Sequence, residues 1–354
     1  MNIGGEPLSV EGRRVVVTGG TGSLGQVIVR RLLAGDIGTP EKVVVFSRDE
    51  AKQHDMRLSY LHRDAATDEV IYKNSQEKLT FRIGDIRNFD SVLQAVRDAD
   101  VVIHAAALKQ VPSCEYFPAE AVLTNIMGPQ NIVKAIREHA TGVTTVVGVS
   151  TDKACKPINV MGMTKALMER VLVEANLECP NTRLVCVRYG NVVASRGSVV
   201  PLFLDQIARG GPVTVTLKEM TRFLLSLDRA VDTVFAAIEG ARRGETLVPK
   251  VPAARVVDVA DVLIGDRRIP ITYTGIRPGE KIHEIMVSED ECYRTVDRGD
   301  YYAICPMLPE LQREPIDTPA RLTEYSSSEV TLDHAAIRKM LQPFLAGQPQ
   351  DLGA

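Results

Sequence analysis

The chain has 354 residues, of which 45% are hydrophobic and 25% charged, and a formal net charge of −3. That is enough chain for one large domain or two ordinary ones, with the composition of a globular protein. The weak negative charge excludes an electrostatic case for nucleic acid or an acidic membrane surface, and no apolar run approaches the length of a bilayer span. In chain order, Arg14 to Thr18 reads as a short strand that runs directly into Gly19-Gly20-Thr21-Gly22-Ser23-Leu24-Gly25. A helix with Leu24, Val27, Ile28, Leu32 and Leu33 on its apolar side follows. Glycines at 19, 22 and 25 suit a dinucleotide: Gly19 for the tight turn, Gly22 for approach to a pyrophosphate, and Gly25 for close packing of helix on strand. The helix N-terminus offers the backbone N–H groups of its first residues to phosphate oxygens. The second strand is Lys42 to Ser47, and at its end Ser47 and Arg48 stand where an NAD-specific protein usually carries an acidic residue. A hydroxyl and a guanidinium suit a 2′-phosphate, so NADP is expected ahead of NAD.

A polar helix over Glu50 to Arg63 leads to a third strand, Leu79 to Ile83, and then to Asp85 and Ile86, which are suited to an adenine amino group and ring. A helix around Phe89 to Val96 and a fourth strand, Val101 to His104, come next. Ala105 and Ala106 are small enough to leave room for a cofactor, and Lys109 lies just beyond, in reach of a diphosphate. Asn125 to Glu138 reads as a helix with a buried stripe of Ile126, Ile132, Val133 and Ile136. The apolar run Thr144 to Val149 then ends at Ser150-Thr151-Asp152-Lys153, and a helix from Met161 to about Asn176 carries Thr164 and Lys165 in its first turns. Hydroxyls, a carboxyl and two amines therefore meet beyond the end of a central strand, the crevice where ligands bind in open α/β sheets.

Arg183 to Tyr189 is a further strand, after which Gly190-Asn191, Ser195 to Ser198 and Pro201 break the pattern. Helices are expected over Leu202–Arg209, Asp228–Glu239 and Val256–Leu263, with strands over Val213–Thr216, Thr246–Lys250 and Pro270–Tyr273. Arg277 to Lys281 is a turn carrying both charge signs, and a last helix spans Leu332 to Leu341. The alternation predicts an α/β fold with a doubly wound parallel Rossmann sheet and a smaller mixed α/β part. The expected divisions are a cofactor domain over 12–190, with some later segments returning to it, a substrate domain over 191–290 and an extension over 291–354. The six cysteines lack a CxxC pair and read as reduced thiols, while the six histidines lack ligand spacing, so no metal is expected. Met1 to Gly12 lack the pattern of a signal peptide, so a cytoplasmic protein is expected.

These segments resemble the extended short-chain dehydrogenase/reductases and, more narrowly, the C5-inverting UDP-N-acetylglucosamine 4,6-dehydratases of capsular and flagellar glycan synthesis. The likeness is carried by Thr18–Gly25, Gly84–Ile86, Ser150–Lys165, Arg188–Phe203 and Arg277–Glu284, with Asp152-Lys153 standing where the C5-retaining enzymes typically show Asp-Glu. One departure is Met161 in the place of the superfamily tyrosine, since a thioether neither accepts nor delivers a proton at neutral pH. The resemblance implies oxidation at C4 by bound NADP⁺, loss of water across C5 and C6, and return of hydride to C6. The product would be UDP-2-acetamido-2,6-dideoxy-β-L-arabino-hex-4-ulose. It implies Lys153 as the C5 base, Asp152 as the acid for the C6 hydroxyl, Lys165 on the nicotinamide ribose and Thr151 on the C4 hydroxyl. It also implies Lys109, Asn191, Ser198, Arg277 and Glu280 as contacts of a UDP-sugar, and a homo-oligomer. The competing readings are a UDP-sugar 4-epimerase, a C5-retaining dehydratase and a non-catalytic NADP-binding regulator.

Overall fold

A computed structural model describes residues 9–61, 78–139, 142–193, 198–312, 316, 318–329 and 332–345. The chain forms two compact units. The first takes the described residues up to Tyr189, then Leu227–Lys250 and Met286–Glu324, and the second takes Gly190–Ser226, Val251–Ile285 and the described residues from Tyr325 onward. The described residues of 291–354 are therefore not a separate extension: those up to Glu324 rejoin the first unit and those from Tyr325 join the second.

The first unit is built on one nine-stranded sheet. Its strands are β1 (Arg14–Thr18), β2 (Lys42–Ser47), β3 (Leu79–Ile83), β4 (Val101–His104), β5 (Thr145–Val149), β6 (Arg183–Val187), β7 (Thr246–Pro249), β8 (Thr295–Arg298) and β9 (Tyr301–Ile304). They lie in the order β3-β2-β1-β4-β5-β6-β7-β9-β8, parallel from β3 to β7, with β9 and β8 added antiparallel at the edge. The order reverses between β1 and β4, which is the switch point of a Rossmann sheet.

Register explains why these strands read as apolar runs. Val16, Val44, Val102, Val146 and Leu184 sit side by side across five strands and share one core cluster. That face is covered by helices α3 (Phe89–Val96), α4 (Gly128–Glu138) and α5 (Val160–Glu178), which supply Val92, Ile132, Met168 and Leu172. Helix α1 (Ser23–Ala34) packs on α6 (Leu227–Gly240), so both faces of the sheet are covered and its strands need no polar face. Helix α2 (Glu50–Leu61) follows β2; the two residues beyond it that were expected to be helical lie outside the described residues. Three differences from expectation stand out. The segment before α4 is a π-helical turn, Leu123–Met127, in which Ile126 is only half-buried. The helix expected from Leu202 starts earlier, at Val199. The β8–β9 hairpin was not expected at all; it turns through Gly299-Asp300, with Gly299 at φ 69°.

The second unit holds a three-stranded sheet in the order Ala253–Arg255, Thr221–Leu225, Asn191–Val192, and a parallel pair, Val213–Val215 with Ile271–Tyr273. Helices Val199–Ala208, Val256–Ile264 and His334–Leu345 enclose its core, where Phe203, Leu224, Leu263, Ile337 and Leu341 are buried. Phe223 is fully buried against the Tyr325 ring and is a core residue. All six cysteines are free thiols, and only Cys305 is other than fully buried. Among the described residues no helix is long and apolar enough to cross a membrane.

In the first unit Leu172 is fully buried over Gly148 of β5, where a Cβ would come within 2.2 Å of its Cδ1. Leu172→Ala should therefore cost about 2–5 kcal/mol, seen as a lowered denaturant midpoint at unchanged slope.

Candidate active site

The glycine-rich turn packs so tightly that its sequence is forced. Gly19 has φ 68°, and a Cβ there would lie 2.8 Å from the Ala106 backbone nitrogen; one on Gly25 would lie 2.5 Å from the Gly19 carbonyl oxygen. Both contacts are with backbone, which cannot swing aside. Gly22 is the N-cap of α1 and brings no side chain to its exposed donors, so the N–H groups of Ser23, Leu24 and Gly25 are left for an anion. Ala105 and Ala106 are held against β1, their N–H groups donating to the Thr18 carbonyl and Thr18 Oγ1 at 3.1 and 3.3 Å.

Thr21 ties this turn to the end of β2 by donating to Ser47 Oγ at 3.1 Å. Gln53 also donates to the Ser47 carbonyl, at 2.8 Å, so Ser47 is buried and engaged. Arg48 is exposed and makes no ion pair with any described residue. Asp85 lies in a bidentate pair with Arg87, whose hydrogen bonds lower its pKa. Ile86 is buried in the core cluster beside Gly128, and its carbonyl accepts from Asn131.

The central cluster forms where β5 ends. Asp152 is 1% exposed, and its Oδ1 accepts from the Thr151 hydroxyl at 2.8 Å and from Lys153 Nζ at 3.1 Å. Its backbone N–H donates to the Tyr189 carbonyl at 3.0 Å, and residues Asp152–Ala154 form a single 3₁₀ turn. Helix α5 begins directly against that turn. Asn159 caps it by accepting from Gly162 N at 2.8 Å, and a Cβ on Gly162 would sit 2.2 Å from the Lys153 carbonyl oxygen. Thr151, Asp152 and Lys153 are thus brought together as expected from their spacing. Ser150 is not in the crevice: its hydroxyl donates to Glu169 Oε1 at 2.5 Å within a buried network.

Lys165 is fully buried one turn after Met161, and Met168 Sδ, at 3.0 Å, is its hydrogen-bond partner among the described residues. Burial pushes its pKa down to about 8, against smaller opposing effects of Cys186 and Glu169. A thioether is a weak acceptor, so the ammonium keeps donors for sugar hydroxyls, and this donor set fits a nicotinamide ribose. His104, at the end of β4, shares a 2.9 Å hydrogen bond with Thr18 Oγ1 through Nδ1, and burial first, then Lys165, hold its pKa down at about 3. Met161 is buried in a small apolar cluster with Cys114 and Ala121.

Sequence reading missed Asn125. From the π-helical turn its side chain accepts from Leu108 N at 2.8 Å and donates to the Leu108 carbonyl and Thr164 Oγ1, both at 3.0 Å. It thereby joins the loop after β4 to α5; an asparagine inside an otherwise apolar helical stripe was the available signal. Lys109, just beyond Leu108, is exposed. In the second unit Asn191 is half-buried on its short strand and Ser198 is the N-cap of Val199–Ala208, with Ser195 to Gly197 outside the described residues. Ser198 Oγ is buried and makes no hydrogen bond with a described residue. Arg277 and Glu280 share a turn closed by Glu280 N to the Arg277 carbonyl at 3.2 Å, but their side chains do not pair: Thr216 donates to Glu280, and Arg277 is exposed.

Residues 15–306 match the model of the family described as polysaccharide biosynthesis protein. The chain belongs to that family. It is 44% identical, over 82% of both chains, to a UDP-glucose 4-epimerase of Rickettsia canadensis. Among solved structures it is similar to Pen from Bacillus thuringiensis, at 33% identity and a TM-score of 0.83 over 95% of this chain and 98% of that one. A dTDP-glucose 4,6-dehydratase of Streptomyces venezuelae, solved with NAD bound, shares the fold at 22% identity and a TM-score of 0.62, over 76% of this chain and 86% of that one. The family thus takes in relatives named as nucleotide-sugar epimerases.

The Lys165 pKa has a consequence for stability. An unfolded lysine keeps its proton up to about 10.5 while the folded one loses it at about 8, so between these values the unfolded state binds more protons and stability rises with pH. Cofactor-free protein should therefore gain stability over Lys165→Met from pH 8 upward, by at most about 1.4 kcal/mol per pH unit, measured by denaturant unfolding of both proteins across that range.

Proposed function

We propose that the enzyme is a C5-inverting UDP-N-acetylglucosamine 4,6-dehydratase that uses NADP, and that it serves the synthesis of a bacterial surface glycan. The observation that carries this reading is the buried Asp152 carboxylate sharing one oxygen with the Thr151 hydroxyl and the Lys153 amine. When bound, the cofactor supplies a hydride acceptor at C4 and returns the hydride at C6. Thr151 stands between substrate and Asp152: it takes the C4 hydroxyl proton as it passes its own to Asp152 Oδ1, which answers the absence of a base at Met161. The 4-ketone acidifies C5, and Lys153, as the neutral amine, takes that proton. Asp152, now protonated, gives its proton to the departing C6 hydroxyl, and water leaves. A proton from solvent then reaches C5 from the opposite face and inverts that centre, while Lys153 releases the proton it took to solvent, so the carboxylate and amine are both restored. Lys165 holds the nicotinamide ribose, and Lys109, Asn191, Ser198, Arg277 and Glu280 are assigned to the UDP-sugar.

Arg48 supports NADP because its guanidinium is exposed at the end of β2 and makes no ion pair with a described residue. The name borne by the Rickettsia relative favours a second reading, 4-epimerisation. That reaction keeps the C6 hydroxyl and needs no acid–base pair for C5 and C6, which leaves Asp152-Lys153 without a task.

Incubation with UDP-N-acetylglucosamine should yield a nucleotide sugar one water lighter, labelled at C5 in deuterated water, with no accumulation of reduced cofactor. An isomer of unchanged mass would establish the epimerase instead. Lys153→Ala should lower turnover by about 10²–10⁴-fold. Arg48→Ala should weaken NADP binding more than NAD binding, as read by calorimetric titration of each.

A further inference from the structure

We propose that Arg188, gripped by Glu169 and Glu291, is a positioning residue that sets the Asp152–Lys153 turn for proton transfer; this rests on the roles given to those two residues above. Arg188 is buried at the end of β6, and all its N–H donors are used. Nε and Nη2 donate to Glu169 at 3.1 and 2.6 Å, Nη1 and Nη2 to Glu291 at 2.8 and 3.0 Å, and Nη1 also to the Met286 carbonyl at 2.8 Å. Burial alone would raise the Glu291 carboxyl, but Arg188 and the Ser288 N–H outweigh it and hold its pKa down at about 2.

A buried ion cluster is a poor way to gain stability, because desolvation offsets most of the attraction and apolar residues of like volume serve as well. What it supplies is direction, and the direction here is toward the site. The carbonyls on either side of Arg188 hold the residues on either side of Thr151: Val187 O accepts from Ser150 N at 2.7 Å and Tyr189 O from Asp152 N at 3.0 Å. Glu169 also accepts the Ser150 hydroxyl at 2.5 Å. The far end of the turn is tied to the same segment as Glu291. Lys156, a non-glycine residue at φ 44°, pairs with Glu289 at 3.1 Å and Glu324 at 2.8 Å. Glu289 and Glu291 share the short helix Glu289–Cys292, closed by a capping box from Ser288. A left-handed lysine persists only where its surroundings over-determine it.

The test is a double-mutant cycle between Glu291→Gln and Lys153→Ala, using the UDP-sugar that the parent enzyme converts. Glu291→Gln keeps the volume and removes the charge that orients Arg188. A shift of about 1 Å in a reacting group costs on the order of 10²-fold, so kcat should fall by that order with KM and cofactor affinity held. In the Lys153→Ala background the same change should lower the residual turnover little further, since groups that act as a unit are not additive. Ser150→Ala, which removes one hydroxyl, is the companion should Glu291→Gln fail to fold, and it should lower kcat in the same sense and be masked by Lys153→Ala in the same way. Full parental kcat in these variants, or equal losses with and without Lys153, would overturn the proposal. The parent's own product, identified first, tests the reaction assignment separately.

Discussion

A carboxyl group with 1% of its surface exposed, at the point where the middle strand of the sheet ends, constrains everything around it. Water does not solvate Asp152, so its charge is tolerated only with hydrogen bonds. Thr151 and Lys153 supply these from the adjacent positions, and Tyr189 fixes the backbone that carries the carboxyl. The same burial makes the group useful. In the proposed reaction its proton passes to and from neighbours at hydrogen-bond distance, and low local polarity strengthens each of those interactions.

In the proposed reaction, cofactor chemistry and acid–base chemistry come from different parts of the first unit. The turn after β1 and the buried Lys165 are the proposed holder for a dinucleotide, an arrangement suited to any nucleotide-sugar enzyme that begins with hydride removal. Epimerases and 4,6-dehydratases part ways only after that step. In the proposed reading the difference is carried by a few side chains beyond β5, and one fold can hold either activity.

Legibility followed the range of the interactions. Strands β1 to β5 were readable to within a residue because a parallel sheet covered on both faces leaves uninterrupted apolar runs. The β8–β9 hairpin was overlooked, although Arg298-Gly299-Asp300-Tyr301 carries a two-residue turn signal. Its strands are short and partly polar, as suits a sheet edge. The first crossing between units, at Gly190, was marked by a break in the pattern, but those at Leu227, Val251, Met286 and Tyr325 were not located, because they depend on which distant segments pack together.

From the sequence by itself came the turn that needs glycine at 19 and 25, the alternation that makes a doubly wound sheet, and the grouping of Thr151, Asp152 and Lys153 within three consecutive positions. These are properties of neighbouring residues, set by backbone sterics and hydrophobic period. Only the tertiary structure decided that Ser150 turns away into the protein, that Asn125 joins a loop to α5, and that Arg188 finds carboxylates 19 and 103 residues away. A buried charge must be matched by whatever the fold brings beside it, and that partner leaves no trace at any fixed spacing along the chain.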